Sequence, residues 1–212
     1  ISGYSQTKTD SVYEYYKEIT DDIWVSDKNT NEWSHDTTQQ WKWDGDVYIH
    51  VSGNKKGLLI KELILVVKEL NELIDPINIY ITDDTLKRNC RLYLGDGKDY
   101  YSINPYYKDY IDGGGTKPFG FACSLGGLKN INAGLCFVDL NYIEEFGEIY
   151  EWDEKRIIDQ MKTALREEVT QVLGLPNDSY SYPNSVFQES KYEPVTQYSD
   201  LDKEIIKMLY TD

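Results

Sequence analysis

The sequence predicts an α+β domain that is built on a mixed sheet with a few helices. Short β-rich runs alternate with two long helical segments, and no internal repeat or long linker divides the chain. The 212 residues are enough for one domain with a real core. A hydrophobic content of 40% and an aromatic content of 14% exclude a disordered chain.

The first half of the chain predicts an N-terminal segment, a strand and a buried helix. Residues 1–40 are polar, with scattered Tyr and Trp, so we expect an irregular segment packed on a single domain that spans residues 41–212. Residues 41–52 alternate apolar and polar side chains, which is typical of a strand. Residues 57–75 are apolar around most of a helical circumference and end at Pro76, which indicates a buried helix.

The second half predicts further strands and two more helices. Residues 77–82, 90–94 and 133–140 are β-rich runs, and we expect residues 95–127 to form a long surface excursion with a short strand at 120–124. A second long helix is predicted over residues 152–173, with Asp153 as N-cap and Gly174 as its stop. Ser199 to Asp202 resembles a capping box that opens a last helix.

Charge and hydropathy exclude several classes of partner. Lys and Arg number 22 and Asp and Glu number 37, which gives a formal net charge of −15. Such an acidic surface repels nucleic acid and anionic membranes, so no nucleic acid partner is expected. No apolar run reaches the roughly 18 residues that a membrane span requires.

The cysteines and the first residue bear on the compartment. Cys90, Cys123 and Cys136 form no CxxC pair, so both one disulfide with a free thiol and three buried thiols remain open. The sequence begins with Ile1, and we expect that a signal segment has been removed. The richness in Tyr, Asn, Asp and Trp favours an extracytoplasmic protein, either secreted, periplasmic or attached to the surface as a lipoprotein.

The helix at 152–173 carries a carboxylate on its apolar stripe. The stripe consists of Ile157, Met161, Leu165, Glu168 and Val172. An unpaired buried carboxylate costs several kcal/mol, so Glu168 requires an arginine, a metal, backbone donors or a proton. Glu167 and Gln171 are i,i+4 neighbours on the adjacent face. The competing interpretation is an ordinary amphipathic helix whose Glu168 borders the core and pairs with Arg166 or a lysine.

Residues 166–178, with the sequence REEVTQVLGLPND, resemble the active-site helix of zincin metallopeptidases. In zincins two histidines of an HExxH motif bind zinc and the intervening Glu is the general base. The resemblance places Glu167 and Gln171 at the histidine positions and Glu168 at the general-base position. It places Asn177 at the third-ligand position, with Asp178 beside it.

The resemblance covers most of the chain from about residue 41. Residues 184–187 resemble a Met-turn, with Phe187 in place of the methionine, and residues 199–210 resemble the C-terminal helix. The strand at 133–140 corresponds to the edge strand over the cleft. The pattern is similar to the bacterial domain of unknown function 2927 family, and it implies a metzincin-like zincin domain with a mixed twisted sheet.

Only His35 and His50 are present, and they form no zinc-binding pair. Oxygen atoms of Glu167, Gln171, Asn177 and Asp178 would favour a divalent cation such as Ca²⁺, Mg²⁺ or Mn²⁺. The alternative is a hydrogen-bonded network of the same four residues that replaces the metal. Arg166 and Phe187 are candidates for ligand binding.

These features indicate a non-catalytic zincin-like protein, a pseudoenzyme that uses the ancestral cleft to bind a peptide or a protein. The alternative is an atypical metal-dependent peptidase with Glu168 as general base. A third hypothesis is a glycan-binding protein that works through the aromatic residues of the segment 98–110.

Overall fold

The computed structural model describes residues 8–20, 23–26, 33–36, 41–115, 117–126, 130–189 and 193–211. The helices are α1 (Lys8–Thr20), α2 (Gly57–Leu73), α3 (Gly97–Tyr100), α4 (Pro105–Asp112), α5 (Leu140–Ile149), α6 (Glu154–Gln171) and α7 (Asp200–Tyr210). The strands are β1 (Ile23–Ser26), β2 (Trp33–Asp36), β3 (Lys42–Trp43), β4 (Val47–Gly53), β5 (Ile79–Ile81), β6 (Cys90–Gly95), β7 (Gly120–Gly126) and β8 (Asn130–Asp139).

The main sheet is mixed, and the predicted α+β class with several helices is confirmed. Its strand order is β3-β8-β6-β4-β5, all paired in parallel, and β7 adds to β8 in antiparallel orientation. Parallel strands need long crossovers, and helix α2 makes the crossover between β4 and β5. The expectation of a buried helix is wrong for one face of α2, because Leu58, Ile64 and Leu65 are exposed. Inward-facing Val47, Ile49 and Val51 join Leu92 and Leu94 in the core, as the alternation predicts.

Helix α6 begins and ends within two residues of the helix that the sequence predicts over residues 152–173. Asp153 caps its N-terminus by accepting a hydrogen bond from the backbone N–H of Arg156 at 2.7 Å. After the helix, Gly174 has a φ of +120°, and a side chain there would lie 2.0 Å from the carbonyl oxygen of Trp41. Glycine is therefore required where the chain leaves α6.

A buried arginine attaches α6 to α2. Arg166 is 2% exposed and donates hydrogen bonds to Glu62 at 2.9 Å and to Glu69 at 2.5 Å. Its guanidinium also lies over the Tyr198 ring, 4.6 Å from the centroid. Glu168 therefore does not pair with Arg166, contrary to the competing interpretation of an ordinary amphipathic helix.

The N-terminal part of the chain differs from the irregular segment that the sequence predicts. Residues 8–20 form α1, because Tyr15, Tyr16 and Ile19 share one face that is buried against the rest of the protein. Tyr15 hydrogen-bonds to Ser185, and its hydroxyl donates to Asp202 at 3.1 Å. The polar composition concealed this helix because its apolar face is narrow.

The segment 95–127 also contains more regular structure than expected. Helices α3 and α4 form there because Tyr100 and Tyr107 pack on Phe137, with ring centroids 4.3 and 4.7 Å from it. Helix α5 was not predicted either. It is capped by Asp139, which accepts a hydrogen bond from the backbone N–H of Tyr142.

The edge strand is β7 and not the strand at 133–140. The latter belongs to β8, which pairs with β6 and β7 along most of its length and is therefore central. Strand β7 pairs with β8 alone among the strands of the described residues. The residue pattern of one strand does not show which strands pair with it, so the position of residues 133–140 within the sheet could not be predicted from the sequence.

Two further expectations concern membranes and thiols. Within the described ranges, no helix combines the length and apolarity needed to cross a bilayer. Cys90, Cys123 and Cys136 are free thiols, and Cys90 and Cys136 are buried. The alternative with a disulfide is therefore wrong, and the alternative with three buried thiols is met by Cys90 and Cys136, while Cys123 is half-buried.

We expect Arg166→Ala to lower the free energy of unfolding by about 3 kcal/mol or more, because it leaves the carboxylates of Glu62 and Glu69 without their buried partner. Urea denaturation followed by circular dichroism measures this change. Lys155→Ala is the control, since it removes an exposed ion pair of the same helix, with Asp159. Equal effects of the two substitutions would contradict a structural role for the Arg166 cluster.

Candidate functional site

A cavity of about 320 Å³ lies between α6 and the edge strand β7. Its polar lining consists mainly of four carboxylic acids and three amides: Glu167, Glu168, Asp178, Glu189, Gln160, Gln171 and Gln188. Gly120, Phe121 and Ala122 of β7 form the opposite wall. The cavity is therefore lined by the predicted general-base residue and by three of the four predicted ligand residues, Glu167, Gln171 and Asp178.

Glu168 lies at the floor of the cavity against β7. The residue is 4% exposed, and its Oε2 atom has no hydrogen-bond partner in the structure. A Cβ atom on Gly120 would lie only 2.4 Å from Glu168 Oε1, so this carboxylate fits because the strand has no side chain there. Burial, and then the charge of Asp178, raise the pKa of Glu168 well above its usual range.

Gln171 and Asp178 are joined by a direct hydrogen bond. The Gln171 Nε2 atom donates to Asp178 Oδ1 at 2.6 Å. Burial, followed by the nearby charge of Asp178, raises the pKa of Glu167 well above its usual range. A contact with the Asp178 side chain raises the pKa of Glu167 further, so the two side chains are neighbours at the cavity.

Asn177 lies outside the cavity lining. Its side-chain amide donates to the backbone carbonyl of Glu18 in α1 at 3.4 Å, and the residue does not line the cavity. Of the two neighbouring residues, Asp178 lines the cavity and Asn177 does not. The reason is the turn after Gly174, which directs Asn177 towards α1 and Asp178 back towards Gln171.

Arg166 and Phe187 are also placed away from the cavity. Arg166 is held by α2 on another face of the helix, and Phe187 is completely buried in the main core. Neither residue lines the cavity, and both pack inside the protein. Each residue directly precedes a cavity residue in the sequence, but its side chain points away from the cavity because neighbouring side chains point in different directions on a helix and in an extended loop.

Three cavity residues were missed by sequence reasoning. Gln160 lies seven residues before Glu167, a spacing that places the two on one helical face, and this signal was present in the sequence. Gln188 and Glu189 had no such signal. They reach the cavity because Ser179 and residues 187–189 pair as short extended segments, with hydrogen bonds of 2.6 and 3.0 Å.

The donor atoms at the cavity are carboxylate and amide oxygens, which suit a hard divalent cation better than zinc. Among the described residues, however, no group of three or more His, Cys, Asp or Glu side chains is placed to hold a metal ion. His50 lies in β4, and burial, followed by the charges of Arg88 and Lys55, lowers its pKa. His50 does not line the cavity.

The aromatic segment 98–110 has a mainly structural role. Tyr100 and Tyr107 are buried and form a small second core with Phe137, as the ring contacts show. A platform of exposed rings for a sugar is therefore not formed by these residues. Tyr110 is half exposed and lines the mouth of the cavity instead.

A protein-family model described as "Protein of unknown function (DUF2927)" matches residues 25–212. The chain belongs to this family. The resemblance of residues 166–178 to the domain of unknown function 2927 is thereby confirmed. A comparison of this DUF2927 chain with curated proteins finds no match.

Two solved structures are similar to this DUF2927 chain at a low level. One is described as "Crystal structure of myroilysin", with a TM-score of 0.47, 9% identity, and coverage of 82% of this chain and 87% of that one. The other is described as "Structure of Myroilysin", with a TM-score of 0.45, 10% identity, and coverage of 82% of each chain. Similarity this weak assigns no role to any cavity residue.

The raised pKa of Glu168 makes the protein less stable as pH rises. The folded state retains a proton that the unfolded state loses near the usual glutamate pKa, so stability falls by up to about 1.4 kcal/mol per pH unit until the folded-state pKa is reached. We expect Glu168→Gln to reduce this fall, so that its stability relative to the wild type increases with pH. Urea denaturation between acidic and neutral pH measures the difference.

The control is Glu148→Gln, which removes a carboxyl that is exposed on α5 and should leave the pH profile unchanged. Parallel profiles for the wild type and Glu168→Gln would show that the carboxyl is solvated, and would contradict the described burial.

Proposed function

We propose that this protein is a non-catalytic, zincin-like bacterial protein that binds a peptide or a protein in the cavity between α6 and β7. The proposal treats residues 41–212 as one metzincin-like domain outside the cytoplasm, the location being favoured by composition. The observation that carries it is the Gln171–Asp178 hydrogen bond. Where zincins hold their metal, this chain has an amide that is engaged by a carboxylate, next to the carboxyl of Glu167.

The edge strand β7 supports a peptide as the ligand. Its side away from β8 pairs with no other strand of the described residues, and its residues Gly120 to Ala122 form one wall of the cavity. An extended peptide adds to an exposed sheet edge through main-chain hydrogen bonds, and its alternate side chains enter adjoining pockets. The cavity would thus receive one side chain of a peptide that lies along β7.

The second candidate function is an atypical hydrolase, and the state of Glu168 favours it. A buried carboxylate with a raised pKa and an oxygen without a partner has the properties of a general base or acid. In this function Glu168 would remove a proton from water, and a hard cation held by Glu167 and Asp178 would activate that water when bound. The engaged amide of Gln171 favours the binding function over this one.

We expect Ala122→Trp to abolish the binding of peptides that are selected against the wild-type protein from a random display library. The indole ring would fill the space between β7 and α6 into which Ala122 points. Leu125→Trp is the matched control, since Leu125 is exposed on the same strand outside the cavity lining. Fluorescence anisotropy measures affinity, and thermal melting verifies that both variants fold.

Retention of affinity in Ala122→Trp, or a failure to select any peptide, would contradict binding in this cavity.

We expect the purified protein to contain no stoichiometric metal and to cleave no member of a peptide library. Elemental analysis and mass spectrometry of the library after incubation measure the two quantities. Stoichiometric metal together with cleavage that is lost in Glu168→Gln would replace the binding function with the hydrolase.

A further inference from the structure

The charge of the cavity lining is entirely acidic. Glu167, Glu168, Asp178 and Glu189 contribute carboxyl groups, and no Lys or Arg lines the cavity among the residues that the structure describes. Clusters of acidic residues are common on a protein with a net charge of −15, so the cluster alone identifies no ligand. The hydrogen-bonding state of its buried atoms is more informative.

Three oxygen atoms of the lining are buried and have no hydrogen-bond partner among the residues that the structure describes: Glu168 Oε2, Gln160 Oε1 and Gln188 Oε1. Glu168 is 4% exposed and Gln160 is 5% exposed, so surrounding solvent is largely excluded from both. Buried acceptors without donors are costly, and such groups usually mark the place of a ligand or an ordered water. An adjacent cation favours the ionised form of Glu168, and in that form all three atoms are acceptors, which points to a cationic ligand that is rich in donors.

The size and the walls of the cavity suit an organic group. Its volume of about 320 Å³ is several times that of a water molecule, which occupies about 30 Å³ in the liquid. Phe119, Phe121 and Pro118 provide apolar wall on the side opposite to α6. An aliphatic stem can pack on such a wall while its charged end reaches the acidic floor.

From these observations we propose that the cavity binds the cationic side chain of an arginine or lysine residue in a peptide ligand. A guanidinium has five N–H donors and an ammonium has three, and neither has an acceptor, so either group complements a lining of carboxylate and amide oxygens. The inference rests on the proposed peptide-binding function and specifies which peptides are bound.

The test uses short labelled alanine-based peptides that differ at one central residue, which is Arg, Lys, citrulline or norleucine. Citrulline retains the shape of arginine without its charge, and norleucine retains the aliphatic stem of lysine. Binding is measured by fluorescence anisotropy in the presence of EDTA. We expect the Arg and Lys peptides to bind at least about tenfold more tightly than their neutral counterparts, as for a charge-assisted pair.

Substitutions locate this preference in the cavity. Glu168→Gln preserves the shape of the side chain and should reduce the preference for Arg over citrulline by about tenfold. Asp178→Asn, at an exposed position of the mouth, is the second variant in case the first perturbs folding. Glu148→Gln removes the same charge from the exposed surface of α5 and should leave the preference unchanged.

The outcomes separate this inference from the proposed function. Peptide binding that is independent of the central residue, or a preference that Glu168→Gln and Asp178→Asn leave intact, overturns the inference and leaves the peptide-binding function standing. Isothermal titration with agmatine, a small guanidinium compound, provides the other arm. Agmatine binding that Asp178→Asn weakens, without binding of any peptide, supports the cationic pocket and contradicts peptide binding.

Absence of binding in both arms overturns the inference. A second set of titrations is done without EDTA, with Ca²⁺ and with Mn²⁺. Metal binding that depends on Glu168 and that agmatine does not displace would show that the cavity is a metal site. That result likewise overturns the inference.

Discussion

The buried ion pair of Arg166 with Glu62 and Glu69 is the interaction on which the arrangement of the site depends. It determines which side of α6 faces α2, and helix geometry then determines the direction of every other side chain on α6. Because consecutive residues differ by about 100°, Glu167 and Gln171 turn towards the cavity while Glu168 turns towards β7. The arginine of α6 therefore faces α2, while the adjacent glutamates, Glu167 and Glu168, face the cavity.

This separation has an energetic cost that the rest of the fold offsets. Two adjacent carboxyl groups with raised pKa values reduce stability at neutral pH, and unpaired buried acceptors reduce it further. The apolar core around α2, α6 and the parallel strands supplies the compensating burial. Three of these unpaired acceptors, Glu168 Oε2, Gln160 Oε1 and Gln188 Oε1, belong to residues that line the same cavity. Adjacent carboxyl groups with raised pKa values are frequent at binding and catalytic sites.

The resemblance of residues 166–178 identified the correct helix but not all of the correct partners. Its two most reliable features were local: the i,i+4 pair of Glu167 and Gln171, and the glycine that ends the helix. The resemblance did not give the positions of Asn177 and Phe187 relative to the cavity, because both positions depend on the path of the chain between Gly174 and Glu189. That path is fixed by contacts with α1 and α7, including the Asp202 carboxylate that receives hydrogen bonds from Tyr15 and Ser185.

The sequence by itself determined the α+β class, the three long helices α2, α6 and α7, the N-caps of α6 and α7, and the family. These are consequences of periodicity and capping chemistry over a few consecutive residues. Only the tertiary structure decided that β7 is the edge strand, that Gly120 makes room for Glu168, and that Asp178, Gln188 and Glu189 complete the cavity. Such contacts join residues that are far apart in the chain, and neither periodicity nor spacing within a short segment indicates which distant residues will be in contact.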